Sequence, residues 1–204
     1  TLTATLSGKV DEAVTVSIGT SGTGTEGTDY STISDITISA GSTTGTASFT
    51  PSDDSGDPVY EENETAIVAI SSVSGADASE SGSQSVTITI TENESAPTVT
   101  LTTSATSIAE NAGSSLTLTA TLSGKVDESV TVSISTSGTG TEGTDYSTIS
   151  DITISAGSTT GTASFTPTDD SGDPVYEENE TAIVAISGVS GGSATEDGTQ
   201  SETL

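Results

Sequence analysis

The sequence predicts an all-β fold made of two tandem, immunoglobulin-like, seven-stranded antiparallel β-sandwiches. Three observations support this prediction. Apolar residues alternate with Thr and Ser in short runs such as TVTLTT and LTLTATL, and this alternation is typical of half-buried strands. Segments rich in Gly, Ser and Asp separate the runs and favour turns. The chain also repeats itself at the length of a small domain.

The repeat sets the domain organisation. Residues 1–88 align with residues 117–204 without gaps, and 77 of the 88 aligned pairs are identical. A match at this spacing indicates tandem copies of one domain. We therefore predict one domain at residues 1–96, with its first strand absent, and a second at 97–204, with its last strand incomplete. One difference is unexpected: Glu202 replaces Val86 at a position that should face the core.

The alternating runs also predict where the strands and loops lie. In the second copy, strands are expected at 98–108, 115–123, 130–135, 149–155, 162–167 and 181–187, and the seventh is seen at 85–92 in the first copy. If successive strands run in opposite directions, the loops after the first, third, fifth and seventh strands share one end of the sandwich. These loops carry most of the carboxylates, and Lys9 and Lys125 are expected at the opposite end.

The acidic composition is the main functional signal. The chain has 30 Asp and Glu residues, two Lys, and a net charge of −28. The segment DDSGDPVYEENET occurs at 53–65 and again at 169–181. Carboxylates a few ångströms apart repel by about 4 kcal/mol per pair at an effective dielectric constant of about 20, so a crowded loop favours a cation. Oxygen donors without His or Cys favour Ca²⁺. The alternative is an acidic surface that only maintains solubility.

The composition argues against several other classes of function. A strongly acidic chain without a basic patch is not expected to bind nucleic acid, and no apolar run is long enough for membrane insertion. The sequence contains no His, Cys or Arg, so nucleophilic and general-base mechanisms lack their usual groups. We therefore expect that the chain is not an enzyme.

The order of the motifs resembles the Calx-β domain family. GTEGTDY follows the third strand, DD and YEENET flank the acidic loop, and ITITENE closes the first copy. The resemblance covers essentially the whole chain as two copies and implies a Calx-β-like fold that binds Ca²⁺. The implied ligands are Glu110 in the second copy, Glu92 and Glu94 in the first, and the paired positions Asp29 and Asp145, Asp53 and Asp169, Asp54 and Asp170, and Glu61 and Glu177. Asp57 and Asp173 are further candidates, in an SGDP insertion that departs from the family pattern.

The resemblance and the repeats together suggest a mechanical role. We expect tandem Calx-β repeats of a bacterial-type secreted surface protein, stiffened by Ca²⁺ and acting as an extracellular adhesin stalk or spacer. The expected partners are neighbouring repeats of the same chain. One alternative is a fibre subunit that pairs head to tail with other copies by strand exchange. Another is a glycan-binding or protein-binding module that uses the variable segment 76–83.

Overall fold

A computed structural model describes residues 1–53, 58–169 and 178–204. The described residues form strands, turns and bends without a helix, which confirms the all-β prediction, and none of them forms a helix that could span a membrane. The chain divides into two compact units. Among the described residues, the first unit contains 1–53 and 63–92, and the second contains 58–62, 93–169 and 178–204. The domain boundary between residues 96 and 97 stays a prediction.

The longer strands of the described residues follow the predicted alternation of apolar residues with Thr and Ser. The first copy forms β1 (Leu2–Thr5), β2 (Val14–Gly22), β3 (Ile36–Ile38), β4 (Thr44–Ala47), β5 (Val59–Tyr60), β6 (Glu64–Ser74) and β7 (Ser85–Ile90). The second copy forms β8 (Thr98–Thr103), β9 (Leu116–Leu122), β10 (Lys125–Val126), β11 (Val130–Gly138), β12 (Ile152–Ile154), β13 (Thr160–Phe165), β14 (Ala182–Ser190), β15 (Thr195–Glu196) and β16 (Ser201–Thr203).

The second unit contains two four-stranded sheets, ordered β12-β11-β14-β16 and β13-β9-β8-β15. Inward-facing residues of both sheets form one core cluster, in which Leu118, Val130 and Ile152 are fully buried. Sequence analysis did not predict the short strand β5, which pairs in parallel with β10. Tyr60 of β5 packs against the same core cluster, and the neighbouring Glu62 carboxylate accepts a hydrogen bond of 2.7 Å from the Ser193 hydroxyl.

The first unit has the same arrangement with fewer strands. One sheet is ordered β3-β2-β6-β7, and the other contains β1 and β4. Among the described residues, β1 pairs with β4 and with no other strand. The buried residues of this unit form two separate clusters of four, whereas one cluster of eighteen occupies the second unit. The first unit therefore has a smaller and interrupted core.

A β-bulge interrupts the pairing of both long central strands. It lies between Ser17 and Ile18 in β2 and at the equivalent position, between Ser133 and Ile134, in β11. In the second unit, the Asp151 carboxylate accepts hydrogen bonds from the Ile134 N–H at 3.0 Å and from the Ser133 hydroxyl at 3.1 Å. Asp35 makes the same two bonds in the first unit. These carboxylates have a structural role, because they satisfy donors at an irregularity of the sheet.

The register of the last strands shows which side of the sheet Val86 and Glu202 face. Val86 pairs with Val68, and Glu202 pairs with Val184. Directly paired residues place their side chains on the same face of a sheet, and both Val68 and Val184 are buried. Both positions therefore face the inner side, as expected for Val86. The Val86 side chain nevertheless remains 47% exposed, which indicates that the inner side is open there.

Candidate metal site

The loop that follows the central strand positions the first candidate ligand in each unit. This loop, called the GTDY loop below, covers residues 25–30 in the first copy and 141–146 in the second. The Asp29 N–H donates to the Thr25 carbonyl at 2.9 Å, and the Thr25 N–H donates to the Asp29 carboxylate. The Ser52 N–H donates to the Asp29 carbonyl at 2.9 Å, so this aspartate lies beside the start of the acidic loop.

The GTDY loop is held by an internal carboxylate and by aromatic packing. The Glu26 carboxylate accepts from the Thr20 hydroxyl at 2.8 Å and from the Ile33 N–H at 2.7 Å. Tyr30 is 1% exposed and stacks on Phe49 with ring centroids 5.0 Å apart. In the second unit, Glu142, Tyr146 and Phe165 make equivalent interactions. The hydrogen bonds of this glutamate and the stacking of the two rings therefore hold the GTDY loop in place.

Three carboxylates of the first copy converge next to this loop. One oxygen from each of Asp29, Glu61 and Glu64 lies within 4.8 Å of the others, and all three residues are half-buried. At that separation, each pair repels by roughly 3 kcal/mol for an effective dielectric constant of about 20. A bound divalent cation would turn this repulsion into attraction. The donors are all carboxylate oxygens, which is the ligand type that Ca²⁺ prefers, and they would supply part of its about six to eight oxygen ligands.

In the second unit, the corresponding end of the sandwich contains a cavity of about 790 Å³. Its lining brings together three of the acidic segments, with Glu110 after β8, Asp145 in the GTDY loop, and Asp169, Glu178 and Glu180 in the acidic loop at 169–180. The last residue of the chain, Leu204, also lines it. The loops that follow β8, β11 and β13 therefore meet at one end of the second unit.

The structure places the predicted ligands in several different settings. Asp29 and Glu61 belong to the three-carboxylate cluster, and Glu110, Asp145 and Asp169 line the cavity of the second unit. Near the closing run, the Glu92 N–H donates to the Asn63 side chain at 2.8 Å, and the Glu94 carboxylate accepts from Asn93 at 3.3 Å. Asp53 is exposed beside Ser52. The candidates that lie outside the described residues are Asp54, Asp57, Asp170, Asp173 and Glu177.

Glu64 is the member of the cluster that sequence analysis missed. It is the first residue of β6 and pairs with Ile90, and its counterpart in the second copy is Glu180. A signal was present in the sequence, because Glu64 is the last of the six carboxylates in the acidic loop and lies three residues after Glu61. Because Glu64 is paired within a sheet, its backbone is held more firmly than that of a residue within the loop.

Comparison with known proteins identifies the family. The model of the Calx-beta domain matches residues 2–94 and again residues 92–202. The chain belongs to the Calx-beta domain family. Among solved structures, the Calx-beta chain is similar to one described as the crystal structure of CBD12 from CALX1.2, with 17% sequence identity, a TM-score of 0.37, and coverage of 92% of this chain and 72% of that chain. No curated protein matches the sequence.

Proposed function

We propose that this tandem Calx-beta chain binds Ca²⁺ through its acidic loops and works as a structural segment of a repetitive extracellular protein. The observation that carries the proposal is the meeting of Asp29, Glu61 and Glu64 within 4.8 Å. Half-buried carboxylates at this distance need a cation more than exposed ones do, because water screens them less. Bound Ca²⁺ would link the GTDY loop to the acidic loop and stabilise the folded state.

A calcium-dependent unfolding experiment tests the metal site. Ca²⁺ at about 100 times its dissociation constant stabilises a folded protein by about 2.7 kcal/mol. We therefore expect a higher melting temperature in CaCl₂ than in EGTA, and a smaller effect of MgCl₂. The Asp29→Asn and Glu64→Gln variants should lose most of the Ca²⁺-dependent increase from the first copy. Identical melting curves of the wild-type chain in CaCl₂ and EGTA would exclude the site.

Asp11→Asn is the matched control for those variants. It removes one negative charge, as Asp29→Asn does, but Asp11 is exposed before the start of β2, whereas Asp29 follows the end of that strand. The nine residues of β2 span about 30 Å at 3.3 Å per residue. The control should therefore keep the full Ca²⁺-dependent increase. An equal loss in both variants would mean that Ca²⁺ acts on the total charge and does not occupy a site.

The mechanical part of the proposal is a stalk or spacer outside the cell. It is supported by the near-identical copies and by a charge of −28, which opposes self-association. If Ca²⁺ stiffens the chain, small-angle scattering should give a larger and better-defined maximum dimension with Ca²⁺ than with chelator. Scattering profiles that coincide in the two conditions would reject a stiffening role for Ca²⁺. They would not contradict Ca²⁺ binding, which the unfolding experiment tests separately. Protease treatment of intact cells tests the extracellular location, since an exposed stalk is digested without lysis.

A further inference from the structure

The second unit contains a short strand whose sequence lies in the first copy. Residues 58–62 belong to this unit, and their strand β5 pairs in parallel with β10. The Asp127 N–H, directly after β10, donates to the Tyr60 carbonyl at 3.4 Å. Val126 of β10 is fully buried. The second unit therefore binds an extended segment at the edge of a strand, which is a common way for proteins to recognise a peptide.

Two side chains of this segment contact the rest of the second unit. The Tyr60 ring packs against the core cluster of this unit. Two residues later, the Glu62 carboxylate accepts a hydrogen bond of 2.7 Å from the Ser193 hydroxyl, which lies in the turn between β14 and β15. Backbone pairing gives affinity with little sequence selectivity, so side-chain contacts provide the specificity. The segment is therefore recognised by the pattern Tyr-x-Glu.

The two copies differ in the turn that holds the glutamate. Gly192 and Ser193 of the second copy correspond to Ala76 and Asp77 of the first. The backbone is the same at the second of these positions, with φ of 49° for Ser193 and 53° for Asp77, so this turn can hold an aspartate without a change of conformation. An aspartate in place of Ser193 would remove the donor to Glu62 and add a second carboxylate beside it, and like charges repel.

The glycine of this turn lies directly against β10. Gly192 is buried, and its N–H donates to the Glu128 carboxylate at 3.3 Å. A Cβ atom added to Gly192 would lie 2.9 Å from the Val126 side chain, which is too close for two carbon atoms. An alanine, as at Ala76 in the first copy, would require the turn or β10 to shift. Both differences between the copies therefore affect the contact between this turn and the segment at β10.

We propose that the second unit has a docking site for a Tyr-x-Glu strand of the acidic loop, and that Ser193 determines its specificity. Residues 60–62 occupy the site in the structure. A copy with alanine and aspartate in this turn, as in the first copy, should reject the same strand. Two residues would then decide which copies of the repeat accept an acidic loop. The contacts that support this inference involve Tyr60 and Glu62, so it does not depend on the proposed Ca²⁺ site.

Limited digestion with trypsin in EGTA tests the docking site in the full chain. Trypsin has two sites, Lys9 and Lys125, and both are followed by Val-Asp-Glu. Cleavage after Lys125 requires β10 to open, so it should be at least about tenfold faster in Ser193→Asp than in the wild type. Cleavage after Lys9, which is exposed, is the internal control and should not change. Thr199→Asp adds the same charge at an exposed position after β15 and should leave cleavage after Lys125 unchanged.

A compensating substitution separates specificity from a general loss of stability. Glu62→Gln combined with Ser193→Asp lets the amide NH₂ donate to the introduced aspartate, so cleavage after Lys125 should return to within about threefold of the wild-type rate. Glu62→Gln alone should change this rate little, because the amide oxygen still accepts from the Ser193 hydroxyl. Wild-type cleavage in Ser193→Asp, equal acceleration by Thr199→Asp, or failure of Glu62→Gln to restore slow cleavage would overturn the proposal.

Discussion

At the scale of single residues, carboxylates of the same type have two different roles in this chain. Glu142 uses both oxygens inside the protein, accepting from the Thr136 hydroxyl at 2.7 Å and from the Ile149 N–H at 2.8 Å. Asp29 belongs instead to a group of three carboxylates. Composition cannot separate these roles, because Glu142 and Asp145, the counterpart of Asp29, lie in the same TEGTDY segment. Their hydrogen bonds do separate them, so substitutions should have different consequences.

Substitution of Glu142 tests whether its carboxylate stabilises the fold. Glu142→Ala leaves the Ile149 N–H without its acceptor, and an unsatisfied buried donor costs about 1–3 kcal/mol. Glu142→Gln should cost much less, since the amide oxygen can accept from Ile149 and the amide NH₂ can donate to Thr136. Urea unfolding of the two variants measures the difference. Equal losses would mean that the negative charge of Glu142 matters more than its hydrogen bonds. A loss of Ca²⁺-dependent stabilisation in Glu142→Gln would assign the residue to the metal site.

At the scale of elements, the alternation of apolar and polar residues was sufficient to predict the main strands. The seven predicted strands all occur, because period-two burial on a sheet leaves a clear pattern in runs of four or more residues. The short strands β5, β10 and β15 have two residues each, which is too short for any period. They form by pairing with segments that are distant in the sequence, and a local sequence pattern does not indicate such pairing.

The candidate site could be predicted only in part for a related reason. Sequence analysis predicted Asp29 and Glu61 but not Glu64, although all three meet in the structure. The acidic loop contains six carboxylates in thirteen residues, and a loop has no periodicity from which to infer direction. The family resemblance supplied the ligand types and the loops that contain them. Which oxygens converge depends on how β6 begins. The spacing of Glu61 and Glu64 marks both as candidates, but it does not fix where their side chains lie.

The bulge in β11 provides a prediction at the same scale. Asp151 satisfies the Ile134 N–H and the Ser133 hydroxyl, both at the bulge. Asp151→Ala should destabilise the second unit by about 1–2 kcal/mol, because both donors lose their acceptor. Ser133→Ala removes only the hydroxyl bond and should cost about half as much. Chemical denaturation measures both, and a Ser133→Ala variant as unstable as Asp151→Ala would show that the backbone bond contributes little.

At the scale of the whole molecule, nearly identical sequences have formed cores of different size. The second unit has one buried cluster of eighteen residues, whereas the described residues of the first unit form two clusters of four. The difference follows from β8, which brings the buried residues Val99 and Leu101 and covers the apolar side chains of β9. Burial of apolar surface is the main stabilising contribution in folding, so the second unit should be more stable than the first.

The first unit should therefore open before the second. In EGTA, amides of β2 and β6 should exchange at least about tenfold faster than their counterparts in β11 and β14, a difference of about 1.4 kcal/mol in opening free energy. The comparison is internally matched, since Ile18 and Ile134 lie at equivalent bulges and donate to equivalent aspartates, Asp35 and Asp151. Equal exchange in the two units would mean that β8 adds no stability to the second unit.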